Sequence, residues 1–231
     1  MSIAQNFKQH FRLLPSAWLL VVQLFILILS FFTYDHGAYR VLTWILGILA
    51  LLLIGRVIRE TSVFTLTGLF FVLGALFFSV LILLGFNQVL IQILTHGFEA
   101  CAYFYAAYGL LRYMFADRYL TKDELFAAGA VFTLIAWGFA FLYNICQLLV
   151  PMSFSKPDHQ GLQSWLDLLF LSFSLQSATG LSDIFPISPA ARVISILQMF
   201  MGVMFLAVVV SRLVALQYIS HLPEKKHHDD T

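Results

Sequence analysis

The chain has 231 residues, of which 61% are apolar and 11% charged, with a mean hydropathy of +0.88 and a formal net charge of +1. Soluble domains carry roughly a quarter charged residues and under half apolar ones, so a water-soluble fold of this size cannot hide so much apolar surface. Near-neutral charge with scattered Lys and Arg excludes an electrostatic nucleic-acid binder, and two cysteines exclude a disulfide scaffold.

In chain order, Ile3, Phe7, Phe11 and Leu14 recur at helical spacing with Lys8 and Arg12 between them. That pattern fits either a helix lying in a membrane interface or a solvated tail. Pro15 to Tyr34 follows, 20 residues without a charge. This is long enough to span a bilayer, and no small-residue cleavage site succeeds it, so a retained span over Ala17–Tyr34 is expected rather than a signal peptide. Val41 to Gly55 is only 15 residues, bounded by Arg40 and Arg56. It spans if both arginines snorkel to opposite interfaces. A third span is expected from about Ser62 to Leu84, then a turn over Gly85, Phe86, Asn87 and Gln88, then a fourth from Val89 to Leu111. The fifth runs from Leu125 to Val150, stopped by Pro151, and the sixth from Val193 to Ser211 between Arg192 and Arg212. Cys101 and Cys146 sit inside apolar runs and are expected as buried free thiols.

The basic residues support this count. With both termini cytoplasmic, Lys8, Arg12, Arg56, Arg59, Arg112, Arg118, Lys122, Arg212, Lys225 and Lys226 fall inside, and Arg40, Lys156 and Arg192 outside, a 10 to 3 asymmetry in the sense of the positive-inside rule. An odd number of spans breaks it. No stretch alternates with period 2 as a membrane β-barrel would. Trp165 to Leu175 is apolar but too short to cross, is preceded by Ser164 with Asp167 three residues on, and is followed by Ser177-Ala178-Thr179-Gly180-Leu181-Ser182-Asp183. A capped short helix and a loop of small residues between two spans reads as a re-entrant segment. Non-helical backbone is tolerated at membrane depth only where it is buried or lines a wet cavity.

Trp165-Leu166-Asp167-Leu168-Leu169-Phe170-Leu171-Ser172 resembles the W-x-D-x-x-Y-F-S pore helix of the potassium-channel superfamily, and Asp183-Ile184-Phe185-Pro186-Ile187-Ser188-Pro189 resembles the D-I-x-P-x-[ST]-P segment after its filter. Arg192 and the run Ile196 to Leu213, with Gly202 inside it, are similar to the family's inner helix. The resemblance implies an all-α integral membrane protein of six transmembrane helices, with a re-entrant pore helix and filter loop between the fifth and sixth. It also implies a C4 homotetramer in a lipid bilayer and passive transport of a monovalent cation, with K⁺ as the family's ion. On that frame residues 1–118 form a four-helix membrane domain, 119–220 the pore domain and 221–231 a polar tail. Both termini are cytoplasmic, in a plasma (inner) membrane.

The filter departs from the family's T-T-V-G-Y-G-D, which aligns with Ser177, Ala178, Thr179, Gly180, Leu181, Ser182 and Asp183. Gly180 and Asp183 are retained. Ala178 removes the hydroxyl of the innermost ion site, Leu181 replaces a bracing tyrosine, and Ser182 disfavours the positive φ that glycine allows. Because selectivity comes from rings of backbone carbonyls, weakened K⁺ selectivity is expected. A non-conducting subunit or assembly module is the alternative. The C-terminal end of the pore helix, near Gln176 and Ser177, is expected to favour a cation through its dipole. Asp183 is either a ring at the outer mouth or a brace for the filter. Gly202 is a candidate gating hinge.

Val89–Leu111 contains no Lys or Arg, so it carries no gating charge. It does hold His96 and Glu99 on one helical face, with Tyr103 a turn further on. The pair is a candidate intramembrane sensor, or else a structural pair bonded to Asn144 or Gln147. The tail's His227, His228, Asp229 and Asp230 imply no preformed metal geometry. No H-E-x-x-H or G-x-x-x-x-G-K-[ST] motif occurs, and Gly180-Leu181-Ser182-Asp183-Ile184 lacks the last glycine of a nucleophile elbow. Neither an enzyme nor a cofactor is expected. A secondary transporter would show an internal repeat, and none is visible.

Overall fold

The computed structural model describes residues 15–32, 65–116, 122–156 and 161–220. The expected second span at 41–55, the amphipathic start and the His-rich tail lie outside these residues. Among the described residues there are six helices: α1 (Pro15–Phe32), α2 (Thr65–Leu83), α3 (Val89–Ala116), α4 (Lys122–Leu149), the short α5 (Trp165–Gln176) and α6 (Pro189–Ser220). A two-residue antiparallel ribbon joins β1 (Phe154–Ser155) to β2 (Phe185–Pro186), with Phe154 opposite Pro186. Three helical stretches are long and apolar enough to cross a membrane: Leu66–Leu83, Asp123–Leu149 and Pro189–Ala215.

Local chemistry sets the helix ends. Asp123 and Glu124 occupy the first turn of α4, where the positive end of the helix dipole favours carboxylates. Ser164 caps α5 by accepting the Asp167 N–H at 3.2 Å. Ser188 does the same for the Ala191 N–H at 3.1 Å, and Pro189 then takes the first helical position, where its missing N–H costs nothing. The inner helix therefore starts four residues before the expected Val193. At the other end of α2, Gly85 at φ +100° closes the helix. Its N–H bonds the Ile82 carbonyl at 3.0 Å and the Phe86 N–H reaches back to Leu81 at 3.1 Å, the reciprocal pair of a left-handed helix cap.

The centre of the molecule is α4, of which 67% is buried, against 22% for each of the crossing stretches of α2 and α6. One flank of α4 carries α3, on which α2 packs in turn, and the other carries α5 and α6. α1 seats on α4 through two buried polar pairs. Ser16 donates to Asp123 at 3.0 Å and Thr133 donates to Gln23 at 2.5 Å. Contact between α2 and α3 is aromatic, with Phe98 meeting Phe70, Phe71 and Phe78 at centroid distances of 5.6, 6.5 and 5.5 Å. The exposed faces of α2 and α6 are almost wholly apolar, including Phe70, Leu73 and Phe77 on one and Ile196, Phe200 and Val203 on the other. Surfaces of that kind suit lipid or another apolar partner. Cys146 is buried as expected, but Cys101 is exposed, because it lies on the face of α3 that no other helix covers among the described residues.

Candidate pore and filter

α5 lies between α4 and α6, held by side-chain hydrogen bonds to both. The Ser172 hydroxyl donates to the Ala136 carbonyl at 2.6 Å, and the Gln176 amide donates to the Phe132 carbonyl at 2.8 Å. From α6, Gln198 Nε2 reaches the Ser172 carbonyl at 3.0 Å, the Ser172 hydroxyl at 2.6 Å and Gln176 Oε1 at 3.2 Å. Tyr143 of α4 donates to Gln198 Oε1 at 2.5 Å. Ser172, Gln176, Gln198 and Tyr143 are all 0% exposed. Buried polar groups with their partners supplied fix one arrangement, because breaking any one bond leaves a polar atom unsatisfied in an apolar interior. The sequence singles out none of these four residues for such a role. Its only signal is an isolated glutamine within each of two apolar helices.

Gly202, expected as a hinge, sits within an unbroken helix. What its missing side chain permits is close approach. A Cβ there would collide with the Gln176 carbonyl oxygen and come within 2.9 Å of the Gln176 Cα. The end of α5 thus rests directly on the backbone of α6 at Gly202.

The loop after α5 closes the helix before it leaves it. Ala178 has φ 57° and Gly180 φ 66°. The Ala178 N–H bonds the Leu175 carbonyl at 3.2 Å and the Thr179 N–H bonds Ser174 at 3.1 Å, the same reciprocal cap that Gly85 makes on α2. Here an alanine holds the left-handed position that glycine usually fills, at a cost of about 1–2 kcal/mol. The carbonyls of Phe173, Ser174 and Leu175 already accept from loop amides. The helix-end oxygens closest to the expected cation position are therefore engaged. Ser177 bonds the Phe173 carbonyl at 2.7 Å and Thr179 Oγ1 at 3.0 Å. Ala178, Thr179, Gly180 and Leu181 are exposed, Leu181 at 72%, so within one chain Leu181 does not brace the loop as the family's tyrosine does. Ser182 does not adopt positive φ, and its hydroxyl instead accepts the Ile184 N–H at 3.1 Å.

Asp183 meets Lys156, whose ammonium lies 3.4 Å from it and 3.1 Å from Asp167. One lysine from the loop after α4 thus ties the filter exit to the first turn of α5. Its hydrogen bond to Asp167 raises the Lys156 pKa above the ordinary lysine value. Nearby, the Ile187 N–H bonds the Ser153 carbonyl at 2.8 Å and Ser188 bonds the Ser153 hydroxyl at 3.0 Å, which straps the segment after the filter to the end of α4.

Away from the filter, His96 Nδ1 lies 2.9 Å from Glu99 Oε2, and Asn144 Nδ2 lies 2.9 Å from His96 Nε2. Gln147 Nε2 then donates to Asn144 Oδ1 at 2.8 Å. His96 thus bonds Asn144 directly, and Gln147 meets the pair only through Asn144. Among the described residues no three His, Cys, Asp or Glu side chains are grouped to hold a metal ion.

Residues 127–217 match the family model described as "Ion channel". That stretch is similar to a two-span ion-channel pore domain. It takes in nearly all of α4, the whole of α5 with its loop, and most of α6. The match is consistent with a pore domain of the potassium-channel superfamily type, and the apolar helices suit a membrane protein. No curated protein and no solved structure was found to match the chain.

Proposed function

We propose that the chain is a potassium-channel-type cation channel in which four copies surround one pore and K⁺/Na⁺ discrimination is weak. The observation that carries this is the pore-domain match over 127–217 on a chain whose candidate filter, Ser177 to Asp183, is exposed at Ala178 to Leu181 after the end of α5. A single strand of this kind makes no enclosure, whereas a ring of copies brings four strands and their carbonyls together. α5 is then the re-entrant pore helix and α4 and α6 the fifth and sixth of six spans, with both termini on the cytoplasmic side of a plasma (inner) membrane. Residues 1–118 act as a scaffold carrying no gating charge. No catalysis and no cofactor are proposed beyond the permeant monovalent cation.

One observation favours the second reading, a channel-fold subunit that assembles without conducting. The second residue of the candidate filter, Ala178, is left-handed inside a helix cap, which consumes loop amides and carbonyls locally. Two measurements on purified protein test the proposal. Mass in detergent should correspond to four chains, and proteoliposomes should release K⁺ passively. A mass of one or two chains overturns the tetrameric pore. Tetramers without flux select the non-conducting subunit.

A further inference from the structure

We propose that His96 is a proton sensor wired to the entry of the pore helix, and that protonating it reverses a chain of side-chain amides ending at Gln163. The chain starts from a donor that cannot turn round. The backbone N–H of Gln163, two residues before α5, donates to Gln147 Oε1 at 2.9 Å. That bond fixes which end of the Gln147 amide carries oxygen, a choice otherwise free for a side-chain amide. Gln147 Nε2 therefore faces the other way, donating to Asn144 Oδ1 at 2.8 Å and to the Gln163 carbonyl at 3.2 Å. Asn144 must then present Nδ2 to His96 Nε2, 2.9 Å away, so Nε2 accepts and carries no proton. The ring proton sits on Nδ1, against Glu99 at 2.9 Å. Each bond in the series determines the next, and the backbone at Gln163 determines the whole.

A proton on Nε2 breaks this order. The imidazolium keeps an ion pair with Glu99 but sets its new N–H against the Asn144 N–H. Turning the Asn144 amide restores that bond and presents Nδ2 to Gln147 Nε2. Turning Gln147 in its place removes the acceptor from the Gln163 N–H. The net result is one proton gained at His96 and both the N–H and the carbonyl of Gln163 released from Gln147 at the entry to α5, beside the Ser164 cap. A second link runs in parallel. The His96 ring stacks on Phe141 at 5.8 Å, and Phe141 meets Trp165, the first residue of α5, at 4.5 Å. His96 keeps 13% of its side chain exposed among the described residues. Imidazole is the side chain that ordinarily changes charge near neutral pH.

The titratable groups around His96 are few. On α3 they are Glu99 and, a turn beyond it, Tyr103. On α4, Tyr143 bonds Gln198 and Cys146 bonds Ser153. α2 has no ionisable side chain, and Asp167 of α5 bonds Lys156. Glu99 is thus the one carboxyl group bonded to the ring among the described residues.

The effect on flux rests on the pore reading, but the switch itself does not require conduction. In full-length protein labelled with ¹⁵N at histidine and glutamine, His96 should show the Nδ1–H tautomer at alkaline pH. The Gln163 backbone amide, assigned by its loss in Gln163→Asn, should shift with the same midpoint as His96. In His96→Gln the Gln163 shift should be flat with pH. In Gln147→Leu, which cuts the chain without touching the ring, His96 should still titrate while Gln163 no longer follows. In proteoliposomes, flux should fall on acidification in the wild type, and the pH response should be lost in both variants. A His96 that never titrates, a Gln163 amide that ignores its titration, or one that follows pH equally in Gln147→Leu overturns the switch. Spectra that behave as expected without flux at any pH uphold the switch and count against the conducting pore.

Discussion

α2 and α6 have the same buried fraction, 22% of their crossing stretches, yet they meet the rest of the molecule by different chemistry. α2 lies on α3 through phenylalanine rings, with Gly74 giving room to the ring of Phe98. α6 lies on α5 through a glutamine that serves several buried polar atoms and a glycine that meets backbone. Apolar contacts tolerate sliding and repacking, since many arrangements bury the same area. A saturated polar network has one arrangement. The α2 side is therefore built to stay associated, and the α5–α6 contact to stay in register, which the proposed filter requires.

The largest expected break in that contrast is Gln198→Leu. It is similar in volume but takes the Gln198 acceptor from the Tyr143 hydroxyl and the donor from Gln176 Oε1 in an apolar interior, while Ser172 and Gln176 keep their bonds to α4. At about 1–3 kcal/mol for each unsatisfied buried group, melting of the purified assembly should fall sharply and the tetramer should loosen. Wild-type melting in the Gln198→Leu variant would show that the network is incidental. Next comes a matched pair. Gly202→Ala forces a methyl into the Gln176 backbone, whereas Gly74→Ala meets the movable ring of Phe98. Overpacking costs of about 1–3 kcal/mol should appear in full for Gly202→Ala and only in part for Gly74→Ala, as read by thermal melts. Equal costs at the two sites would erase the distinction between the flanks.

Smaller effects sharpen the picture at the filter. Ala178→Gly relieves a left-handed alanine at φ 57° and should stabilise the protein by up to about 1 kcal/mol. A loss of stability would mean that the left-handed cap is not what ends α5. Lys156→Met removes the bridge between Asp167 and Asp183. The pair is partly exposed, so the cost should be at most about 1 kcal/mol. Since the folded protein raises the Lys156 pKa above its ordinary 10.5, the bridge contributes fully below that value and is lost as pH rises through the raised one. The melting difference between wild type and Lys156→Met should hold constant from about pH 6 to 9 and close at still higher pH. A difference that instead widens with alkalinity would assign the bridge the wrong sign.

Much of the pore flank is legible in the sequence because its signals are local. Ser164 and Asp167 mark the start of α5, the apolar run ends where the helix ends, and Pro151 stops α4. The start of α6 is harder to read: Arg192 marks a membrane boundary and points to Val193, while Ser188 and Pro189 carry the true helix signal. α3 runs on to Ala116 past Arg112, since hydropathy marks membrane depth and not helix length. The clamp through Ser172, Gln176 and Gln198 is not legible. Ser172 and Gln176 are polar residues of a short mixed helix and Gln198 interrupts an apolar run, and only the fold brings the three together. His96 and Glu99 are visible as a helical pair, but the onward path to Gln163 crosses two helices and a loop, and no spacing rule encodes it.

The central claim is a cation pore whose altered filter discriminates poorly, and reversal potentials of purified protein in planar bilayers test it most directly. With K⁺ on one side and Na⁺ on the other, the expected reversal lies well short of the K⁺ equilibrium value. Loss of a kcal/mol or two of differential binding lowers discrimination by about ten- to thirty-fold, at roughly 1.4 kcal/mol per factor of ten. The combined change Ala178→Thr, Thr179→Val, Leu181→Tyr and Ser182→Gly should move the reversal toward K⁺. A native protein that already reverses near the ideal K⁺ value would contradict the account.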